Sequence, residues 1–134
     1  LLNGIPPEAV RDVWGSVKIY ETYVGAKQFE PPDAVFKKMR EIGEEYGATT
    51  GRPRQCNWLN VDLLERAIRI NGVTHLVLSK VDVLRAIGKW AVIAKGKTIY
   101  FPSEKTMNQY LLTRLSQLGI SKSHVYFSES KDKI

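Results

Sequence analysis

The sequence predicts an α/β fold: a mixed, largely parallel sheet with flanking helices and a β-hairpin. Three observations point there. Val73 to Leu78 is a nearly continuous apolar run, the pattern of an interior strand covered on both faces. Segments with helical periodicity alternate with β-branched and aromatic runs along the chain. Two short apolar runs flank Lys95-Gly96-Lys97, as a hairpin turn requires.

The elements follow in order. Pro6 and Pro7 can open a helix, and Val10, Val13, Trp14 and Val17 would share one face, with Gly15 ending it early. Lys18 to Val24 reads as a strand closed by Gly25. Pro31-Pro32-Asp33 starts a helix whose apolar face is Phe36, Met39, Ile42 and Tyr46, with Gly47 at its C′ position and Glu44 and Glu45 off that face. A loop spans Ala48 to Trp58. Asn60 caps a helix over Val61 to Ile70 with Val61, Leu64, Ala67 and Ile68 buried, and Asn71-Gly72 ends it. After the apolar strand, Trp90 to Ala94 and Thr98 to Phe101 form the hairpin. Pro102-Ser103-Glu104 opens the last helix, with Met107, Tyr110, Leu111, Leu115 and Leu118 facing the core and Gly119 as its stop. His124 to Ser128 is the final strand, and the polar tail from Glu129 reads as loose.

At 134 residues and 43% hydrophobic, the chain suits one domain, 1–134, with a sizeable core. No apolar run reaches the roughly 20 residues of a membrane span, and the start L-L-N-G-I-P-P-E is unlike a signal peptide. That start lacks Met and reads as a processed chain or a piece of a longer one. A single cysteine, Cys56, excludes an internal disulfide and a multi-cysteine zinc site, and fits a cytoplasmic setting. The net charge of +6 suits polyanionic partners such as nucleic acid or phosphorylated small molecules.

Lys95-Gly96-Lys97-Thr98 imitates the end of a phosphate-cradling loop, but Ala91 stands where its first glycine belongs and strands lie on both sides. Lys80 and Asp82, just past the apolar strand, are better placed, because open α/β sheets bind ligands at that edge. A carboxylate has two acceptor oxygens, which match the N1–H and N2–H₂ donors of guanine and not adenine. In the loop Gly47 to Arg54, Pro53 stiffens a pair of guanidinium forks, Arg52 and Arg54, suited to carboxylate or phosphate oxygens. Thr49 and Thr50 add hydroxyls, and Gly51 admits close backbone approach. His75, His124 and Cys56 have no partner pattern that marks them as catalytic, and no spacing marks a metal site.

Together, Gly43-Glu44-Glu45-Tyr46-Gly47-Ala48-Thr49-Thr50-Gly51-Arg52-Pro53-Arg54, Trp58-Leu59, Asn71-Gly72-Val73-Thr74 and Ser79-Lys80-Val81-Asp82-Val83-Leu84 strongly resemble the adenylosuccinate synthetase family. That family carries G-A-T-T-G-R-x-R and T-K-L-D-V-L segments at similar spacing. Lys18-Ile19-Tyr20 and Thr22 to Ala26 resemble its K-A-Y-x-T-R-V-G-A stretch. Ser79 stands for the usual Thr, Asn57 for a Gly, and Ser130 for the Gly of a final S-T-G-P-D motif. The family's glycine-rich phosphate loop, with its catalytic Asp, and its catalytic His have no match here. The resemblance is therefore to the C-terminal part of a P-loop-NTPase-like synthetase fold, with no catalytic residue expected in this chain and no turnover by it alone.

The resemblance implies GTP-dependent joining of IMP and L-aspartate in purine nucleotide biosynthesis. Val24, Ala48, Thr49, Thr50, Gly51, Arg52 and Arg54 would serve aspartate and IMP. Arg54, Lys80, Val81, Asp82, Ser128 and Ser130 would serve GTP. Mg²⁺ would be held by the nucleotide phosphates and the family's other part. The implied partners are that N-terminal part and a second copy in a homodimer, with no nucleic acid and no membrane. The alternative is a stand-alone basic module that binds nucleic acid through the arginine loop, with salt-sensitive affinity.

Overall fold

A computed structural model describes residues 4 and 6–129 of the chain. Among the described residues, seven strands and four α-helices form two sheets with helices packed on them. Strand β1 (Trp14–Lys18) runs parallel to β4 (His75–Ser79), which runs parallel to β7 (Val125–Phe127), so β4 lies in the middle of a three-stranded sheet. The second sheet has the order β2 (Tyr20–Tyr23), β3 (Gln55–Asn60), β5 (Trp90–Ala94), β6 (Lys97–Phe101). Its β3–β5 pair is parallel, and its β2–β3 and β5–β6 pairs are antiparallel. The fold is thus α/β with mixed pairing, and parallel pairs predominate.

Three of the four helices start where a side-chain oxygen satisfies a free backbone N–H. Asp33 accepts from the Val35 N–H at the start of α1 (Ala34–Ile42). Asn60 accepts from Leu63 at the start of α2 (Val61–Asn71), and Ser103 from Thr106 at the start of α4 (Glu104–Ser116). Gly72 ends α2 in the left-handed conformation. The β5–β6 turn places Lys95 and Gly96 at φ 51° and 72°, the double positive φ of a tight hairpin.

One continuous core joins the two sheets to the helices. Tyr20, Phe36, Met39, Leu59, Leu78, Leu84, Met107, Leu111 and Leu115 lie within it. Arg114 ties α4 to α2, bonding Glu65 at 2.6 Å and Asp62 at 3.2 Å. Among the described residues, no helix is long and apolar enough to cross a membrane.

Several expectations are corrected. The expected first helix is only a 3-10 turn, Pro7–Ala9, followed by β1. Trp14 and Val17 thus carry strand pairing, and Gly15 lies within the strand instead of ending a helix. The expected strand Lys18 to Val24 is split between the sheets around buried Ile19. Helix α1 stops at Ile42 with Gly43 as its cap, so Gly47 is not its terminator, and Ile42 and Tyr46 are exposed. The expected loop Ala48 to Trp58 contains the start of β3. Ala67 is exposed on α2. Strand β4 is interior by pairing, but its burial alternates: Leu76 and Leu78 are buried, while His75, Val77 and Ser79 are half-buried. A further helix, α3 (Val81–Ile87), begins directly after it.

Candidate functional site

The C-terminal edge of the three-stranded sheet is where the candidate residues gather. Register places Lys18 opposite Ser79 at that edge. The chain continuing from β7 turns onto the same edge: the Ser128 N–H donates to Leu78 at 2.8 Å, and Val81 donates to the Ser128 carbonyl at 3.2 Å. Lys80 sits between β4 and α3 at φ 63°, a left-handed conformation rare for a residue with a side chain. Its ammonium bonds the Gly43 carbonyl at 2.6 Å and a Glu45 oxygen at 2.7 Å. Val81 is fully buried, and Asp82 is exposed in the first turn of α3.

The arginine loop meets this edge from the other sheet. Tyr46 bridges to Pro53, and the Gly47 N–H donates to the Arg52 carbonyl at 2.8 Å, which closes the loop at its base. Ala48, Thr49, Thr50, Gly51 and Arg52 form its exposed tip, where Gly51 takes φ 67°. Arg54 is fixed at three points. Its N–H donates to the Glu45 carbonyl at 3.0 Å, its carbonyl accepts from Arg40 at 3.0 Å, and its Nη1 donates to Glu45 Oε2 at 3.0 Å. Arg40 is itself paired with Glu30. The β2–β3 ladder ends with Tyr23 opposite Gln55, and Val24, just past it, is exposed.

Glu45 joins the two groups. Its carboxylate is fully buried and accepts from Lys18 at 2.9 Å, Tyr20 at 2.9 Å, Arg54 at 3.0 Å and Lys80 at 2.7 Å. Burial alone would raise its pKa. The hydrogen bonds from Lys80, Lys18, Tyr20 and Arg54 outweigh that and hold it at about 2. Burial, together with the adjacent carboxylate, pushes the Tyr20 phenol far upward, so it remains a hydrogen-bond donor.

Sequence reasoning placed Glu45 off the apolar face because it continued the α1 periodicity to Tyr46. Glu44, at φ 52°, breaks that phase and turns Glu45 inward and Tyr46 outward. The available signal was Gly43 before Glu44-Glu45: a glycine within an otherwise good helical pattern marks a change of direction. A Cβ at Gly43 would collide with the Tyr20 hydroxyl and lie 2.9 Å from the Met39 carbonyl.

The structure therefore brings Arg54, Lys80 and Ser128 together with Lys18 and Tyr20, and leaves Val24 just past the end of the β2–β3 ladder, whose last pair is Tyr23 with Gln55. It leaves Ala48 to Arg52 and Asp82 at the surface. Ser130 lies outside the described residues. Among the described residues, no group of three or more His, Cys, Asp and Glu side chains could hold a metal ion.

Comparison with known proteins gives a consistent result. The family model for adenylosuccinate synthetase matches residues 2–119. The adenylosuccinate synthetase of Cytophaga hutchinsonii is 48% identical over 96 residues, covering 70% of this chain and 22% of that protein. The one from Endomicrobium trichonymphae is 39% identical over 114 residues, covering 80% of this chain and 27% of that protein. A structure of fully ligated adenylosuccinate synthetase from Plasmodium falciparum superposes with a TM-score of 0.68 at 26% identity, over 88% of this chain and 38% of that one. The chain spans about a fifth to a quarter of the length of these curated relatives.

Proposed function

The chain belongs to the adenylosuccinate synthetase family, and from that premise we propose that it supplies the aspartate-binding loop and the guanine-binding edge for GTP-dependent joining of IMP and L-aspartate. In that reaction the 6-oxygen of IMP takes a phosphoryl group from GTP, and the aspartate amine then displaces phosphate to give adenylosuccinate. The observation that carries this reading is the meeting of Arg54 and Lys80, from separate segments, on the two oxygens of Glu45.

Each side chain has a binding role. Arg54 gives only Nη1 to Glu45, so the rest of its fork is open to an anion. Arg52, Thr49 and Thr50 take the aspartate carboxylates from the exposed tip, with Ala48 and Gly51 presenting backbone. Val24 lines the IMP ribose. Asp82, exposed at the start of α3, accepts from the two donors of guanine. Lys80 braces that segment through Gly43 and Glu45 and offers its stem to the base, while Val81 and Ser128 hold the backbone around it. Guanidinium forks of this kind also neutralise developing phosphoryl charge. Mg²⁺ would be held by the nucleotide phosphates and the family's other part.

The test is calorimetric titration with GDP, ADP, IMP, L-aspartate and a DNA duplex. It is run on the chain alone and with a polypeptide supplying the rest of the family's length. The expected results are selective binding of GDP over ADP and GTP-dependent adenylosuccinate formation in the mixture. Salt-sensitive affinity for the duplex, with none for GDP, would replace this reading with a nucleic-acid module. Asp82→Asn is expected to reduce GDP-over-ADP discrimination about tenfold or more, since it puts an N–H against a guanine donor.

A further inference from the structure

Glu45 touches no ligand in the reading above, yet it is the only buried charged side chain among the described residues. A carboxylate has about four lone-pair sites, and here four donors from three stretches of chain occupy them. Lys18 ends β1, Tyr20 begins β2, Arg54 closes the arginine loop, and Lys80 links β4 to α3. Lys18 and Arg54 share Oε2, while Tyr20 and Lys80 share Oε1. Without the negative charge, three half-buried cations would face one another around a buried group, an arrangement that drives the side chains apart.

The bonds also set direction. With Nη1 committed to Glu45 and its backbone held by Arg40 and Glu45, the Arg54 fork has one bearing left for a ligand. With two of its three ammonium N–H donors held by Gly43 and Glu45, Lys80 presents its methylene stem and one remaining N–H along a fixed line, from a left-handed backbone at the turn into α3. One carboxylate thus determines the geometry of both segments.

We infer that Glu45 is a positioning residue coupling the two binding segments: one oxygen orients Arg54 for the aspartate carboxylate, and the other orients Lys80 for guanine. This rests on the ligand roles proposed above. Its signature is that a change at a residue touching neither ligand weakens both, and that a change at Lys80, which shares the Glu45 carboxylate with Arg54, is felt at the aspartate loop. A residue serving only stability would shift the melting temperature and leave ligand affinity alone.

The experiment titrates GDP and L-aspartate into the protein carrying this chain, supplemented as above, in wild-type form and as Glu45→Gln, Glu45→Asp, Lys80→Met and Asp82→Asn. Glu45→Gln keeps the shape but turns an N–H toward the cations. It is expected to weaken GDP and aspartate together, each by about tenfold. Glu45→Asp, which restores the charge on a shorter arm, should recover part of both losses. Asp82→Asn should weaken GDP alone. Lys80→Met should weaken aspartate more than about twofold although it lies on the guanine segment. The inference is overturned if Glu45→Gln lowers the melting temperature while both affinities stay within twofold of wild type. If Glu45→Gln does not fold, unchanged aspartate affinity in Lys80→Met overturns it equally. Wild-type protein that binds neither ligand defeats the ligand roles and this coupling together; intact wild-type binding with an unmoved Glu45→Gln defeats the coupling alone.

Discussion

Glu45 ties this structure's stability to pH at the scale of one residue. Its folded pKa, about 2, lies below the ordinary carboxylate value. The unfolded chain therefore binds a proton at Glu45 at a pH where the folded protein does not. Its contribution is present above the unfolded value of about 4.3 and is lost as pH falls toward 2. That contribution is on the order of a few kcal/mol. Melting temperatures measured between about pH 6 and pH 2 should fall steeply in the wild type. The same series on Glu45→Gln should be flatter, and parallel curves would show that other carboxylates dominate. The arrangement also explains why Tyr20 is buried with its hydroxyl intact: the carboxylate supplies the partner that a buried phenol needs.

At the scale of elements, turn chemistry governs what can change. Gly96 sits at φ 72° in the β5–β6 turn, a conformation that costs a residue with a Cβ roughly 1–2 kcal/mol. Gly96→Val should lower stability by about that amount in urea titration, and no loss would mean that the hairpin re-forms around another turn. The same chemistry explains what the sequence made legible. Asp33, Asn60 and Ser103 mark helix starts because their side chains alone can satisfy the first free N–H groups, and all three act as caps. The Lys95-Gly96 turn was readable for a similar reason. One physical source of the misreadings is that short apolar runs fit two periods. Val10 to Val17 suits a helix face as well as a strand, and only pairing of β1 with β4, about 60 residues away, decides for the strand. Helix α3 is seven residues long, too short for its period to stand out. Among the site residues, the arginine loop and Lys80 were legible as chemistry. Their common anchor was not, because the local signal, Gly43, marks a change of direction without showing which of the following residues turns inward.

At the scale of the whole molecule, the single cysteine reports on global opening. Cys56 is fully buried in β3, and burial pushes its thiol up to about 11. Both the inaccessible sulfur and the scarcity of thiolate oppose reaction. Labelling by a thiol reagent near pH 7 should be slow in native buffer and rise with urea in step with loss of far-ultraviolet circular dichroism. Rapid labelling without denaturant would mean that β3 opens separately from the rest. The three-stranded sheet carries a different consequence, for the order of synthesis. Strand β4 takes one neighbour from residues 14–18 and the other from residues 125–127. The β5–β6 hairpin needs no residue beyond 101, since its contacts are local. The parallel sheet cannot close until Phe127 has been added. A chain that lacks residues 125–127 therefore has an open β4 edge beside Lys18 and Lys80, so a product truncated between residues 102 and 124 would hold a complete hairpin and an incomplete candidate-site edge.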